Sequence, residues 1–232
     1  MKIIARIFTP YKEKFGIPRQ SGIANSIISK IVFSPEYRRK EAFTGLSGYS
    51  HIWVIWKFSE AERDEFSPTV RPPRLGGNKR MGVFATRSPF RPNPIGLSSL
   101  ELVEIRETES EGTVLFVKGA DMLDGTPIYD IKPYLPFTDS HPDAKAGFAE
   151  EVFDYSLKLD FPDRFMAIIS EEYREPIMKI LAEDPRPSYK KNSDKEYGML
   201  FADYEIFFVV KGDLLTVTRV VERPQNLPKR KV

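Results

Sequence analysis

Ahead of residue 140 the chain carries six apolar, β-branched or aromatic runs and no long amphipathic helix. They are residues 2–8 (KIIARIF), 26–33 (SIISKIVF), 50–58 (SHIWVIWKF), 81–86 (MGVFAT), 97–105 (LSSLELVEI) and 113–118 (TVLFVK). A doubly wound sheet needs a helix between successive strands. Runs joined by irregular, proline-rich loops point instead to a small antiparallel or mixed β-barrel. Residues 50–58 are almost continuously apolar, which predicts a central strand and makes His51 a core histidine. Residues 97–105 alternate apolar and polar at period two, as a half-buried barrel wall requires. Residues 107–112 (ETESEG) read as a hairpin loop.

From Asp143 the pattern changes. Residues 163–182 (DRFMAIISEEYREPIMKILA) place Phe165, Ile168, Ile169, Tyr173, Ile177, Ile180 and Leu181 at helical spacing. Pro176 interrupts that run, which predicts two helices or one kinked helix. Residues 203–210 and 214–221 read as a hairpin turning at Lys211, Gly212 and Asp213. The expected organisation is therefore mainly β: a barrel over residues 1–142 and a C-terminal α+β appendage over 143–232, ending in a basic tail.

Composition removes several chemistries. The chain has no cysteine, so disulfides, thiolate zinc sites, iron–sulfur clusters and thiol nucleophiles are excluded. Two histidines, His51 and His141, make a histidine-rich metal site an unpromising reading, and no metal is expected. The N-terminal apolar run is too short and too soon charged for a signal peptide. No stretch approaches the ~20 apolar residues of a membrane span, so the expectation is a soluble cytoplasmic protein. Glycine-rich dinucleotide and phosphate loops, a nucleophile elbow and a zinc-protease helix are all missing from the sequence.

Four segments carry polar chemistry. Residues 68–97 hold Arg71, Arg74, Lys79, Arg80, Arg87 and Arg91, with no acid between Glu65 and Glu101. These cations either face a polyanion or pair with acids on other strands. In residues 120–137, Asp124-Gly125-Thr126-Pro127 is a turn signature, and Asp121, Asp124 and Asp130 are candidate acceptors for a ribose, an amino group or a base edge. Pro18, Arg19 and Gln20 form either a ligand rim or an ordinary loop. Residues 183–191 set Arg186, Lys190 and Lys191 beside Tyr189, a basic-plus-aromatic mixture that suits single-stranded RNA or an exposed connection. The apolar Lys132–Phe137 segment (KPYLPF) is a candidate subunit contact or a loop packed on its own barrel.

Taken in order, PYKEKFGIPRQ, GLSGYSHIWVIWKF, RPPRLGGNKRMGVFATRSPFRPNPIGLS, DMLDGTPIYDIKPYLPF and EDPRPSY resemble the TsaA-like (TrmO) family of tRNA adenine-N6-methyltransferases. The resemblance covers nearly all of residues 1–142. It is weak between Gln20 and Gly45 and after residue 145. It implies a homodimeric β-barrel that binds S-adenosyl-L-methionine and methylates N6 of threonylcarbamoyladenosine, next to the anticodon of threonine tRNA. By the family pattern the cofactor pocket is lined by Pro18, Arg19, Gln20, Ser59, Glu60, Arg87, Leu97, Asp124, Gly125, Thr126 and Pro127. Asp124 and Arg91 are the candidate catalytic groups. Arg74, Lys79, Arg80, Arg186, Tyr189, Lys190 and Lys191 are the candidate tRNA contacts. The rival readings are a barrel that binds RNA without chemistry, and a methyltransferase of another RNA or of a small molecule.

Overall fold

The fold is that of a computed structural model, which describes residues 1–61, 65–72, 79–152, 155–186 and 195–223. Six strands close into a barrel: β1 (Ala5–Phe8), β2 (Ile28–Phe33), β3 (His51–Lys57), β6 (Ile95–Thr108), β7 (Gly112–Lys118) and β8 (Thr126–Pro133), in the order β1-β2-β7-β6-β3-β8. Every neighbouring pair is antiparallel. Closure leaves no strand edge unpaired. Alternation sends Ala5, Ile7, Ile31, Phe33, Ile52, Val54, Trp56, Leu100, Leu115, Val117 and Ile128 inward to one core. Between β3 and β6 a two-stranded ribbon forms from β4 (Thr69–Val70) and β5 (Met81–Gly82).

Several predicted elements differ in detail. Residues 81–86 make only the two strand residues of β5, and Val83–Ala85 then curl into a 3-10 turn. β6 runs on to Thr108, so the predicted hairpin loop shrinks to a tight turn before Gly112. β8 falls in a segment read as turn and loop, because its prolines and polar residues disguise a strand. His51 is exposed, not a core histidine: with Ile52, Val54 and Trp56 facing inward, period two turns position 51 outward. Its Nδ1 lies 2.9 Å from Ser50 Oγ.

The second layer is a four-stranded sheet in the order β10 (Tyr197–Phe201), β11 (Tyr204–Lys211), β12 (Leu214–Glu222), β9 (Lys158–Asp160). Ahead of it lies the short helix α1 (Pro136–Asp139), and against it pack α2 (Asp163–Met166) and α3 (Glu171–Ala182). The expected hairpin is β11–β12. The break in the helical run falls between Met166 and Glu171, not at Pro176, which lies within α3. Ser170 marks that break, with its Oγ 2.8 Å from the Tyr204 hydroxyl, while the Arg174 Nε donates to the Ile169 carbonyl. The core of this layer includes Ile177, Ile180, Leu181, Met199, Phe201, Ile206 and Phe208.

That core also takes in Tyr11, Ala24 and Ile27, which lie between β1 and β2. Phe15 stacks on Tyr197 and on Phe208, with centroids 6.3 and 6.2 Å apart. Gly16 permits this contact, since its φ is 93° and a Cβ there would sit 2.5 Å from Met199 Cγ. The β1–β2 connection is thus held by the barrel at its ends and by the C-terminal sheet along its middle.

Candidate functional site

Antiparallel order puts the C-terminal ends of β1, β3 and β7, and the N-terminal ends of β2, β6 and β8, at one mouth of the barrel. Three connections leave there: residues 9–27, 58–94 and 119–125. They carry Pro18, Arg19, Gln20, Ser59, Glu60, Arg87, Asp124 and Gly125. Leu97, Thr126 and Pro127 begin the strands that follow. Segments far apart in sequence are therefore gathered by topology alone.

Within this mouth, Arg87 Nη1 donates to Gln20 Oε1 at 2.7 Å across 67 residues of sequence, and the pair is exposed. Beside it runs a polar chain that starts in the barrel core and reaches the half-buried Asp121. Trp56 Nε1 donates to Ser98 Oγ at 3.0 Å, and the Ser98 hydroxyl donates to Asp121 Oδ1 at 2.6 Å. The backbone of Ser21, next to Gln20, also favours the charged form of Asp121. Burial raises the Asp121 pKa; the Ser98 hydroxyl, the backbone donors and the Arg87 charge oppose it without cancelling it. The Tyr11 hydroxyl is buried without a hydrogen-bond partner among the described residues, and burial together with the charge of Asp121 holds it protonated. Gly96 is dictated by Trp56: a Cβ there would lie 2.2 Å from the indole.

The other expected residues are placed as follows. Ser59 and Glu60 are exposed, with Lys14 Nζ bonded to the Glu60 carbonyl at 2.5 Å and 3.4 Å from its carboxylate. Leu97 is 56% exposed on the outer wall. Pro18, Thr126 and Pro127 are buried. Gly125 donates to the Ile7 carbonyl and accepts from Arg6. Asp130 pairs with Lys132 at 3.1 Å on β8.

Three of the candidates are engaged in contacts within the protein. Asp124, a candidate catalytic group, accepts from the Thr9 N–H at 3.0 Å and from Lys12 Nζ at 2.9 Å, which makes it a tie between the β1–β2 and β7–β8 connections. It also lines an open cleft with Lys12, Glu172, Tyr173 and Asp203. Arg91, the other catalytic candidate, caps the carbonyls of Thr86 and Ser88 with Nη1 at 3.0 and 3.3 Å, holding the loop that presents Arg87. Arg186, a candidate tRNA contact, is 6% exposed and grips Asp184 through Nε and Nη2 at 2.7 and 2.9 Å. A guanidinium enclosed with its carboxylate is not displayed to a phosphate.

Lys79 and Arg80 are exposed, as is Arg71, and none makes an ion pair with a described acid. Arg74, Tyr189, Lys190 and Lys191 lie outside the described residues, as does the C-terminal tail beyond Arg223. On the same segment Phe66 and Phe84 are 57% and 76% exposed and stack with centroids 6.5 Å apart. Neither ring stands out in the sequence, where aromatics in or beside a cation-rich segment were the available signal. Asp121 reads in the sequence only as a generic acceptor, since nothing there connects it to Ser98 or Trp56. No group of side chains that could hold a metal occurs among the described residues.

Comparison with known proteins agrees along both layers. The family model for the tRNA-methyltransferase O N-terminal domain matches residues 6–140, and that for the TrmO C-terminal domain matches 156–223. The Escherichia coli K12 protein named tRNA (adenine(37)-N6)-methyltransferase is 42% identical over 211 residues, covering 88% of this chain and 89% of that protein. A Pseudomonas aeruginosa protein named putative S-adenosylmethionine-dependent methyltransferase RcsF is 36% identical over 226 residues, covering 94% and 95%. The crystal structure of TrmO from Pseudomonas aeruginosa superposes with a TM-score of 0.73 at 31% identity over 95% of this chain and 96% of that one. With both domain models matched in order and relatives aligned over nearly their whole length, the chain belongs to the TrmO family of tRNA methyltransferases.

Proposed function

We propose that this protein is an S-adenosyl-L-methionine-dependent tRNA (adenine-N6)-methyltransferase acting on the adenosine at position 37. Relatives that this chain matches over most of their length carry that activity in their names. The observation that carries the reading to particular residues is the Arg87–Gln20 hydrogen bond, which joins two segments of the family pattern at the barrel mouth.

The donor set at the mouth fits the cofactor. Arg87 offers a planar cation to a carboxylate, Gln20 offers an amide to a base edge, and Leu97 offers apolar surface. Glu60 supplies a carboxylate for an ammonium group. Pro18, Arg19, Ser59 and the turn from Asp124 to Pro127 complete the rim and fix its shape. When bound, S-adenosyl-L-methionine would supply an electrophilic methyl group: the S–CH3 bond breaks as N6–CH3 forms, and the N6 proton leaves to a carboxylate such as Asp124 or to solvent, so no covalent intermediate on a Ser–His or Cys–His pair is required. The residues of this chain orient and desolvate the reactants.

The finer reading is that the substrate is threonylcarbamoyladenosine in threonine tRNA. Its N6 lone pair is delocalised into a carbonyl, and its threonyl carboxylate suits an arginine fork. The exposed Arg71, Lys79 and Arg80, with Arg74, Lys190 and Lys191, are the proposed phosphate contacts. The stacked Phe66–Phe84 pair and Tyr189 are the proposed aromatic faces for unpaired bases. In this scheme residues 1–142 hold the cofactor and 143–232 extend the RNA surface. The working form is a cytoplasmic homodimer whose shared surface includes Lys132–Phe137, where Phe137 is 86% exposed.

The test is transfer of a labelled methyl group from S-adenosyl-L-methionine to tRNA by the wild type and by Arg87→Ala. The wild type should label tRNA, and a folded Arg87→Ala should be slower by roughly tenfold to a thousandfold. Wild-type protein that binds tRNA but transfers nothing would favour the non-catalytic rival. Unchanged turnover in the variant would remove Arg87 from the site.

A further inference from the structure

Asp121 occupies a position that no polar group takes without consequence. The residue is half-buried, and burial disfavours its charged form. Here the donors are Ser98, the Ser21 backbone and the facing Arg87 charge, and they leave its pKa above the ordinary range.

The identity of those donors is the informative point. Ser21 follows Gln20, Ser98 follows Leu97, and Arg87 is itself a proposed cofactor contact. Three cofactor segments, drawn from three parts of the chain, therefore meet at one carboxylate. The fourth, Asp124 to Pro127, begins three residues further along the same connection. The Gly22 N–H bonds the Gly119 carbonyl at 3.0 Å, bringing the same two connections together a second time. Below, the Ser98 hydroxyl is fixed by the Trp56 indole, so the hub is anchored in the barrel core. Asp121 is a candidate acceptor by residue type but is not among the residues that the family pattern assigns to the cofactor pocket.

We propose that Asp121 is a positioning residue for the cofactor: through Ser21 and Arg87 it sets the Gln20–Arg87 pair in the geometry that binds the nucleoside–amino acid. This rests on the assignment of that pair as cofactor contacts. Asp121 acts through Arg87, so its removal matters only while Arg87 is present. The titratable groups facing it are Arg87 and Tyr11.

The experiment is calorimetric titration of S-adenosylhomocysteine into full-length wild type, Asp121→Asn, Arg87→Ala and the double variant, with a thermal melt of each. Asp121→Asn should bind at least about tenfold more weakly, the size of a lost charge-assisted contact. It should melt close to wild type at neutral pH, because asparagine keeps the volume and an acceptor for the Ser98 hydroxyl. The double variant should bind like Arg87→Ala alone, within about twofold, as residues acting through one another do. Additive losses, or an unchanged Asp121→Asn affinity beside a weakened Arg87→Ala, would overturn the role of Asp121 and leave the site assignment standing. Unchanged affinity in Arg87→Ala would overturn the site assignment itself. Should Asp121→Asn not fold, Ser98→Ala decides: it detaches the hub from Trp56, so weakened binding supports the proposal and unchanged binding defeats it.

Discussion

Arg19 Nη2 donates to the backbone carbonyl of Asp184 at 2.5 Å, across 165 residues of sequence. This one contact ties the loop that carries Gln20 to the DPR segment of the C-terminal layer. Asp184 is itself held by Arg186 and by the Tyr155 hydroxyl, which donates to Oδ2 at 2.8 Å. The C-terminal layer thus buttresses the barrel mouth from outside, as Asp121 does from within.

The first prediction concerns that buttress. Arg186→Ala leaves the Asp184 carboxylate enclosed without its cation, which should lower stability by about 3–5 kcal/mol. Denaturant unfolding of the wild type and variant measures it. An equally stable variant that bound tRNA more weakly would return Arg186 to the RNA surface.

The same pair sets an acid limit. Burial raises the Asp184 pKa, but the hydrogen bonds from Arg186 and Tyr155 outweigh it and leave the pKa lowered. A carboxyl with a lowered folded-state pKa contributes stability that is full above the unfolded value of about 3.9 and fades as pH falls through the folded value. Asp184→Asn should therefore flatten the acid limb of the stability profile. Melting curves at stepped pH below neutrality would show it, and an unchanged acid limb would assign the effect to other carboxylates.

The third prediction tests the packing beneath the site. Gly96→Ala forces a Cβ to within 2.2 Å of the Trp56 ring unless the indole moves. The expected loss is about 1–3 kcal/mol from overpacking, with weaker S-adenosylhomocysteine binding because Trp56 no longer fixes Ser98. Normal stability and normal affinity together would show that the indole relocates freely.

The barrel was legible because closure depends on alternation and β-branched runs, which sequence records directly. β3 and β7 fall where the runs place them, within a residue or so at each end. β8 was hidden because Pro127 and Pro133 mask a strand. α3 keeps its apolar face through Pro176, so the break had to be found at Ser170, where Tyr204 competes for the helix start. In the site, residue types were legible and partners were not. Arg87 and Arg91 look alike in an acid-free segment, yet one faces Gln20 at the surface and the other closes its own loop. Asp121 and Asp124 are three residues apart, and only the fold assigns one to the polar chain and the other to a surface tie.

The fourth prediction separates docking from cofactor binding. Lys79→Ala with Arg80→Ala should weaken tRNA binding and reduce the slope of its logarithm against salt by up to about 2, as fewer counterions are released. Phe84→Ala should weaken tRNA binding at all salt concentrations without changing that slope, since stacking releases no ions. Neither change should alter S-adenosylhomocysteine affinity or oligomeric state. A monomeric Phe84→Ala would move that ring from the RNA surface to the subunit interface.

The most direct test of the central claim is mass analysis of nucleosides from tRNA of a strain lacking its own enzyme, after incubation with this protein and S-adenosyl-L-methionine. One methyl group should appear on N6 of the threonylcarbamoyladenosine beside the anticodon of threonine tRNA, and no other nucleoside should gain mass. A methyl group on a different nucleoside, or none on any tRNA while the protein binds S-adenosylhomocysteine, would contradict the account.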